Sequence, residues 1–344
     1  MGRPRRRTPP LATATSRRIP GFKMEATKTA VKPAAAAIAV RDLTFAYAAA
    51  PVLQDVSFGL EKRAVGLLGP NGSGKTTLLR ALLGHLPLKR GTVTVMGCDM
   101  ARDPRGARRR IGWMPERGGI LPGMSGVAMV AYLGELGGMP PTDALQRAHE
   151  VLNYVGLADE RYREADTYSQ GMRQRLKLAQ ALVHDPDWLL LDEPTSGLDP
   201  RGRVSMLELM RDLAANKGFG VILSTHLLAD VREVCQEILV LRQGRLLSHG
   251  RVEVAPPGAT AQFLVEGFGD EPAFLAALQA AGLAAARRER LLEITAPADA
   301  GARLVLAAAS ASGFALRRLQ PRRETLEDLF YQLVDDADDA RSKD

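Results

Sequence analysis

Eight residues, GPNGSGKT from Gly69 to Thr76, fit the pattern G-x-x-x-x-G-K-[ST] completely. Phosphate chemistry needs that spacing. Gly69, Gly72 and Gly74 let the loop through Pro70, Asn71 and Ser73 wrap closely round an anion, with its backbone N–H groups pointing inward. Lys75 is then the residue that reaches the β- and γ-phosphates of a nucleotide, and Thr76 is the Mg²⁺ ligand. Thr77 continues into a helix whose positive N-terminus faces the anion. A second pair of reactive side chains, Asp192 and Glu193, closes the run DWLLLDE. An acid leaving a buried strand beside a phosphate loop can hold Mg²⁺, usually through water. Glu193 is then placed to polarise the attacking water as a general base. Alone, acids at a strand end more often cap the next element; the phosphate loop in the same chain favours the catalytic reading. The two motifs together predict a chain that binds and hydrolyses ATP.

Such residues need a scaffold that presents loops at the ends of strands. RAVGLLG before the phosphate loop reads as a short apolar strand, and TTLLRALLGHL after it has helical spacing. DWLLLDE and GVILSTH are apolar runs of the kind found in buried parallel strands. IAVRDLTFAY and VLQDVSF alternate as half-buried strands do, and Gly91 opens another strand, GTVTVMG. Residues 117–168 read as mostly helical, with TDALQRAHEVLNYVGL the clearest amphipathic stretch and Thr142 or Asp143 as its candidate cap. Strands alternating with helices predict an α/β fold with a largely parallel sheet, which binds ligands at the carboxyl ends of its strands.

After Gly250 the composition changes. Residues 251–334 predict a small α+β domain of ferredoxin-like order. Its segments are strand TAQFLVEG, helix PAFLAALQAAG, strands near 284–296, helix AGARLVLAAASAS, strand FALRRLQP and helix TLEDLFYQLV. Residues 335–344 read as an acidic solvated tail.

The formal net charge of +7 invites a nucleic-acid reading, but its location argues against one. Residues 1–37 hold nine basic side chains and one acidic one, Glu25, which leaves the rest of the chain near neutral. A stretch rich in Arg, Pro and Ala buries too little apolar surface to fold. Residues 1–37 are therefore expected to form a solvated basic tail that could touch acidic lipid or nucleic acid, with Met24 as an alternative start. No specific nucleic-acid partner is expected. Cys98 and Cys235 make neither a metal-ligand spacing nor a disulfide framework, which suits a reducing cytosol. No run of 18 or more apolar residues is long enough to span a bilayer, and the Arg-rich start lacks a signal-peptide core.

The stretch YSQGMRQRLKLAQAL from Tyr168, followed by DEPTSGLDP and STH, resembles the nucleotide-binding subunits of ABC transporters over residues 38–250. RRETLEDLF is similar to the C-terminal extension of some of these subunits. IGWMPE and the signature variant look most like bacterial exporter-type cassettes paired with separate ABC-2-type permeases. The resemblance implies a P-loop NTPase of ABC type. Such a fold has a RecA-like parallel-sheet core, an antiparallel β subdomain and a helical subdomain, here at about 117–168.

Carried over residue by residue, the resemblance puts Tyr47 at the position that stacks on adenine, where an aromatic face loses little entropy. Glu116 stands where the Q-loop glutamine is usual, contacting Mg²⁺ or water and sensing the permease. A carboxylate there still ligates metal but cannot donate as an amide does. Ser169 and Gly171 fall in the signature motif, which binds the γ-phosphate held by the opposite subunit, while Gln170 and Met172 depart from the commonest LSGGQ form. Ser196 to Asp199 fit the D-loop, which crosses the dimer interface. His226 fits the switch histidine that contacts the γ-phosphate, and His85, His149, His184 and His249 match nothing.

The implied system is a homodimer of cassettes with two ATP molecules sandwiched head to tail. It sits on the inner face of the cell membrane and drives a separate permease, with export weakly indicated and the cargo open. A soluble ABC ATPase acting on ribosomes or DNA is the alternative; such proteins usually carry two cassettes or a long coiled-coil insertion, and neither is present. A regulatory ATP sensor without turnover is disfavoured because Glu193 and His226 are both present.

Overall fold

The computed structural model describes residues 22–25, 36–47, 50–61, 63–252, 260–288, 291–297 and 300–321. The first strands are β1 (Phe22–Glu25), β2 (Ile38–Tyr47), β3 (Ala50–Leu60) and β4 (Ala64–Leu68), followed by α1 (Lys75–Leu82). Next come β5 (Arg90–Val95), β6 (Cys98–Asp99), α2 (Pro104–Arg108), β7 (Ile111–Met114), α3 (Gly126–Leu136), α4 (Pro141–Tyr154) and α5 (Gln170–Leu182). The chain continues through β8 (Trp188–Asp192), α6 (Pro200–Ala215), β9 (Gly220–Thr225), α7 (Leu228–Val234), β10 (Glu237–Arg242) and β11 (Arg245–Val252). The last described elements are β12 (Thr260–Phe268), α8 (Glu271–Ala280), β13 (Ala284–Arg288), β14 (Leu291–Pro297), α9 (Gly301–Ser312) and β15 (Ala315–Pro321).

The main sheet runs β1-β11-β10-β4-β9-β8-β7. The five strands from β10 to β7 are parallel, and β11 and β1 add an antiparallel edge. Every residue of β4, β8 and β9 is buried. Their side chains alternate between two cores, as the pleat requires. Ala64, Leu68, Leu189, Leu191, Val221 and Leu223 enter one core, while Val65, Leu67, Trp188, Leu190 and Ile222 enter the other. Both faces are covered, so near-continuous apolar runs are what the chain must supply here. Each fully buried leucine contributes about 1.5–3 kcal/mol.

The antiparallel β3-β2-β5-β6 sheet closes one side of the second core. The helical segment packs in the first core, and there Ser125 caps α3 by accepting from Ala128 N. The expected cap of the amphipathic helix is corrected. α4 starts at Pro141 with Pro140 at the N-cap and no side-chain cap, so Thr142 and Asp143 lie inside its first turn. A proline at the first helical position supplies the preset φ and lacks the N–H that a cap would satisfy.

The unit from β12 to β15 has the order βαββαβ and a sheet β13-β14-β12-β15, the antiparallel ferredoxin-like arrangement. Its own core includes Phe274 and Phe314, stacked with centroids 4.5 Å apart. The helix expected at TLEDLFYQLV and the acidic tail lie outside the described residues.

Residues 1–37, expected to carry no secondary structure, hold a strand at one point. Phe22–Glu25 pair antiparallel with β11, Phe22 opposite Val252 and Glu25 opposite His249. Local composition gives no sign of it, because the ladder partner lies more than 200 residues away. The effect of truncation follows. Removing residues 1–20 leaves the melting temperature unchanged. Removal through residue 37 deletes β1 and lowers it by a few degrees, since each kcal/mol is worth roughly 2–4 °C in a domain of 150–250 residues. Thermal melts of the two truncated chains decide this, and an unchanged melt for the longer deletion would show that β1 contributes nothing.

Candidate active site

The phosphate loop connects β4 to α1. Its backbone is set by Gly74, whose φ of 104° lies in the left-handed region open to glycine. At Gly69 an added Cβ would stand 2.3 Å from the Leu241 carbonyl oxygen, so the close approach of β10 requires glycine there. The Ser73 hydroxyl is buried and has no partner among the described residues. A loop of small residues with a buried, unsatisfied hydroxyl suits an anionic oxygen.

Lys75 opens α1 and is buried. Its Nζ donates to the carbonyls of Gly69 at 2.8 Å and Pro70 at 3.3 Å, and lies 3.6 Å from Glu193 Oε1. Burial pushes the ammonium below the ordinary lysine pKa, against the opposing fields of Glu193 and Asp192. Thr76 Oγ1 donates to Asp192 Oδ2 at 2.7 Å, and Ser224 Oγ to Asp192 Oδ1 at 2.7 Å. Both oxygens of this buried carboxylate are thus fixed from neighbouring elements.

Glu193 follows β8 with φ of 48°, the left-handed region, which a non-glycine residue adopts at a cost. Its N–H donates to the Ser224 carbonyl at 2.9 Å. Its buried carboxylate lies 3.0 and 3.1 Å from His226 Nδ1. A carboxylate only accepts, so His226 Nδ1 carries the hydrogen, and the ring, 44% exposed, keeps Nε2 for another group. Lys75, Thr76, Asp192, Glu193 and His226 therefore form one network at the carboxyl ends of β4, β8 and β9.

The other expected residues stand apart from it. Among the described residues no hydrogen bond or ion pair joins Tyr47, Ser169, Gly171 or Asp199 to this network. Tyr47 ends β2, 45% exposed, with its ring edge-on to Phe45 at 4.9 Å; it is no core residue. Glu116 follows β7 across Pro115, its carboxylate 3.5 Å from Arg117. Ser169 caps α5 by accepting from Met172 N, and a Cβ on Gly171 would meet only Leu198, at 3.9 Å. Asp199 caps α6 by accepting from Gly202 N.

Three polar residues of α5 that the motifs did not single out hold the loops. Gln174 Nε2 donates to Ser196 O at 3.2 Å, Lys177 Nζ to the carbonyls of Pro115 and Glu116 at 2.9 Å, and Gln180 Nε2 to Gly119 O at 2.9 Å. The available signal was their spacing of three in an otherwise apolar helix face. A further pair, Thr195 and Arg203, bonds to the buried Asp230 behind the Asp192–Asp199 turn.

Comparison with known proteins gives the chain's relatives. A family model described as ABC transporter matches residues 53–196. An uncharacterized ABC transporter ATP-binding protein of Bacillus subtilis is 32% identical over 305 residues, spanning 86% of this chain and 99% of the relative. The Nod factor export ATP-binding protein I of Burkholderia lata is 34% identical over 65% of this chain and 74% of its own length. A daunorubicin/doxorubicin resistance ATP-binding protein of Streptomyces peucetius is 39% identical over 54% of this chain and 56% of its own. Among solved structures, an ATP-binding subunit of an ABC transporter superposes with a TM-score of 0.56 at 29% identity, covering 62% of this chain and 90% of that one. A dimeric bacterial ABC transporter cassette, 22% identical with a TM-score of 0.59 over 63% of this chain and 99% of its own, shares the fold. The relative matched over 99% of its length, together with this sheet and its loop and acids at adjacent strand ends, places the chain in the ABC transporter family, as one of its ATP-binding, ATP-hydrolysing subunits.

Proposed function

We propose that this chain powers export through a separate membrane permease, working as a homodimer of cassettes at the inner face of the cell membrane. The observation that carries the reading is the buried network of Lys75, Thr76, Asp192, Glu193 and His226 at three adjacent strand ends. Relatives named for Nod factor export and for daunorubicin/doxorubicin resistance support the outward direction. The alternative of a soluble ATPase on ribosomes or DNA gains no support from the relatives. Among the described residues no helix is long and apolar enough to cross a membrane.

Phosphoryl transfer to water calls for positioning and charge more than for covalent chemistry. The N–H groups of the loop from Gly69 to Gly74, with the N-terminus of α1, cradle the phosphates, and the Tyr47 ring offers a face to adenine. Lys75, held now by loop carbonyls, turns its ammonium to the β- and γ-phosphates. The Thr76 hydroxyl, the Asp192 carboxylate and Glu116 are hard oxygen donors of the kind Mg²⁺ takes. Mg²⁺ held there would neutralise the negative charge that develops during transfer. Glu193 accepts the proton of the attacking water. His226 fixes the Glu193 carboxylate through Nδ1 and keeps Nε2 for a phosphate oxygen. Ser169, Gly171 and Asp199 lie outside their own chain's network, which suits service at the partner's site.

Replacing Glu193 by glutamine removes the base and keeps the shape. Glu193→Gln should bind ATP as the parent does and turn over slower by on the order of 10²-fold or more. Lys75→Ala should weaken nucleotide binding as well. Steady-state hydrolysis and nucleotide titration check both, and a Glu193→Gln chain with parental turnover ends the assignment.

The dimer is tested in the same background. ATP-bound Glu193→Gln protein should elute as a dimer and apo protein largely as a monomer. Ser169→Arg should abolish the dimer while each chain still binds ATP, with loss of the α5 cap costing about 1 kcal/mol of stability. Light scattering reads the mass, and full activity from a monomer at every concentration overturns the proposal.

A further inference from the structure

The loop after β7 is held by the helix that carries the signature. Gln174, Lys177 and Gln180 form one stripe along α5, reaching from the carbonyl of Ser196 to those of Pro115, Glu116 and Gly119. At both ends of the stripe a glutamine amide is enough to hold a carbonyl. The middle position instead carries an ammonium, only 4% exposed. A buried ammonium is costly unless a negative charge offsets it, and carbonyl dipoles do so only in part. The carboxylates whose fields reach Lys177 are those of Glu116 and Asp192. Asp192 is already satisfied at both oxygens by Thr76 and Ser224. Glu116 meets Arg117, but that side chain is 91% exposed and water screens it.

We propose that Lys177 is a positioning residue of the ATP site: it fixes the Glu116 loop to the signature helix, and its buried charge offsets the carboxylate that this chain carries at position 116. The inference rests on the reading of Glu116 as a group beside the phosphates. A carboxylate there adds negative charge to a site with Asp192 and Glu193 that must accept an anion. Lys75 alone leaves that site with an excess of carboxylates, and Lys177 supplies the second buried cation.

The experiment is a double-mutant cycle in the full-length Glu193→Gln chain, read by binding of a fluorescent ATP analogue without Mg²⁺. Lys177→Gln keeps an amide donor for the loop and removes the charge. It should weaken binding about 10-fold beside Glu116 and by less than about 3-fold beside Glu116→Gln, a coupling within the range seen for interacting charges. Equal weakening in both backgrounds overturns the proposal and leaves Lys177 a tether of carbonyls. Should Lys177→Gln fail to fold, the melting temperature of Glu116→Gln decides. It should fall by a few degrees as the ammonium loses its offset, and an unchanged melt overturns the proposal. The underlying reading has its own arm: if Glu116→Gln leaves the Mg²⁺ dependence of affinity unchanged, Glu116 is not at the metal, whereas the coupling between 116 and 177 is measured without metal.

Discussion

An ammonium and two carboxylates kept dry at one point set the terms for the rest of this molecule. Lys75, Asp192 and Glu193 are all buried, and isolated charges in such a place would neutralise or unfold their surroundings. They persist because each is held by a separate element: Lys75 by the loop carbonyls and Glu193, Asp192 by Thr76 and Ser224, Glu193 by His226. Those holders stand on β4, β8, β9 and α1, so the parallel order of the strands is a condition of the charge cluster. The fully buried strands, in turn, give the cluster a frame too stiff to let the charges drift apart.

Only part of the expected chemistry falls inside that cluster. Ser169 and Asp199 each cap a helix of their own chain, which fixes where α5 and α6 begin. A cap is a strong local anchor, so the loops that carry these residues are set by the fold and do not wander. α5 then spans the interval: its first turn carries Gly171 and Met172, and its later turns grip the loops at Ser196 and at 115–119. The polar stripe of this helix thus ties the two loops together in addition to the pairing of β7 with β8.

That the phosphate-loop motif and the strand-end acids would lie together was legible because each motif is short and contiguous, whereas His226 was reached only through the family resemblance of STH. The apolar runs ending in them were equally plain, since a strand buried on both faces has no room for polar residues. The ferredoxin-like order of the unit from β12 to β15 was readable from alternating segments, each long enough to show its own period. What stayed hidden depends on partners far away in the chain. β1 is ordered by β11, Lys177 has meaning only beside Pro115 and Glu116, and Arg203 only beside Asp230. The start of α4 is set by the backbone restriction of Pro140–Pro141 and by no capping side chain, so a search for caps points one or two residues too far along.

The turn at Glu193 has a consequence for how this fold ages in evolution. A left-handed conformation costs an ordinary residue about 1–2 kcal/mol relative to glycine's freedom there. Glycine at that position would relax the backbone, but it would also leave the buried ammonium of Lys75 without this carboxylate. The residue that suits the turn best is therefore not the one that suits the charges beside it. Backbone comfort and charge balance pull in opposite directions at this single position, and a lineage with no need of the base role proposed for Glu193 would be expected to replace it first with a residue that still accepts from Lys75, such as glutamine.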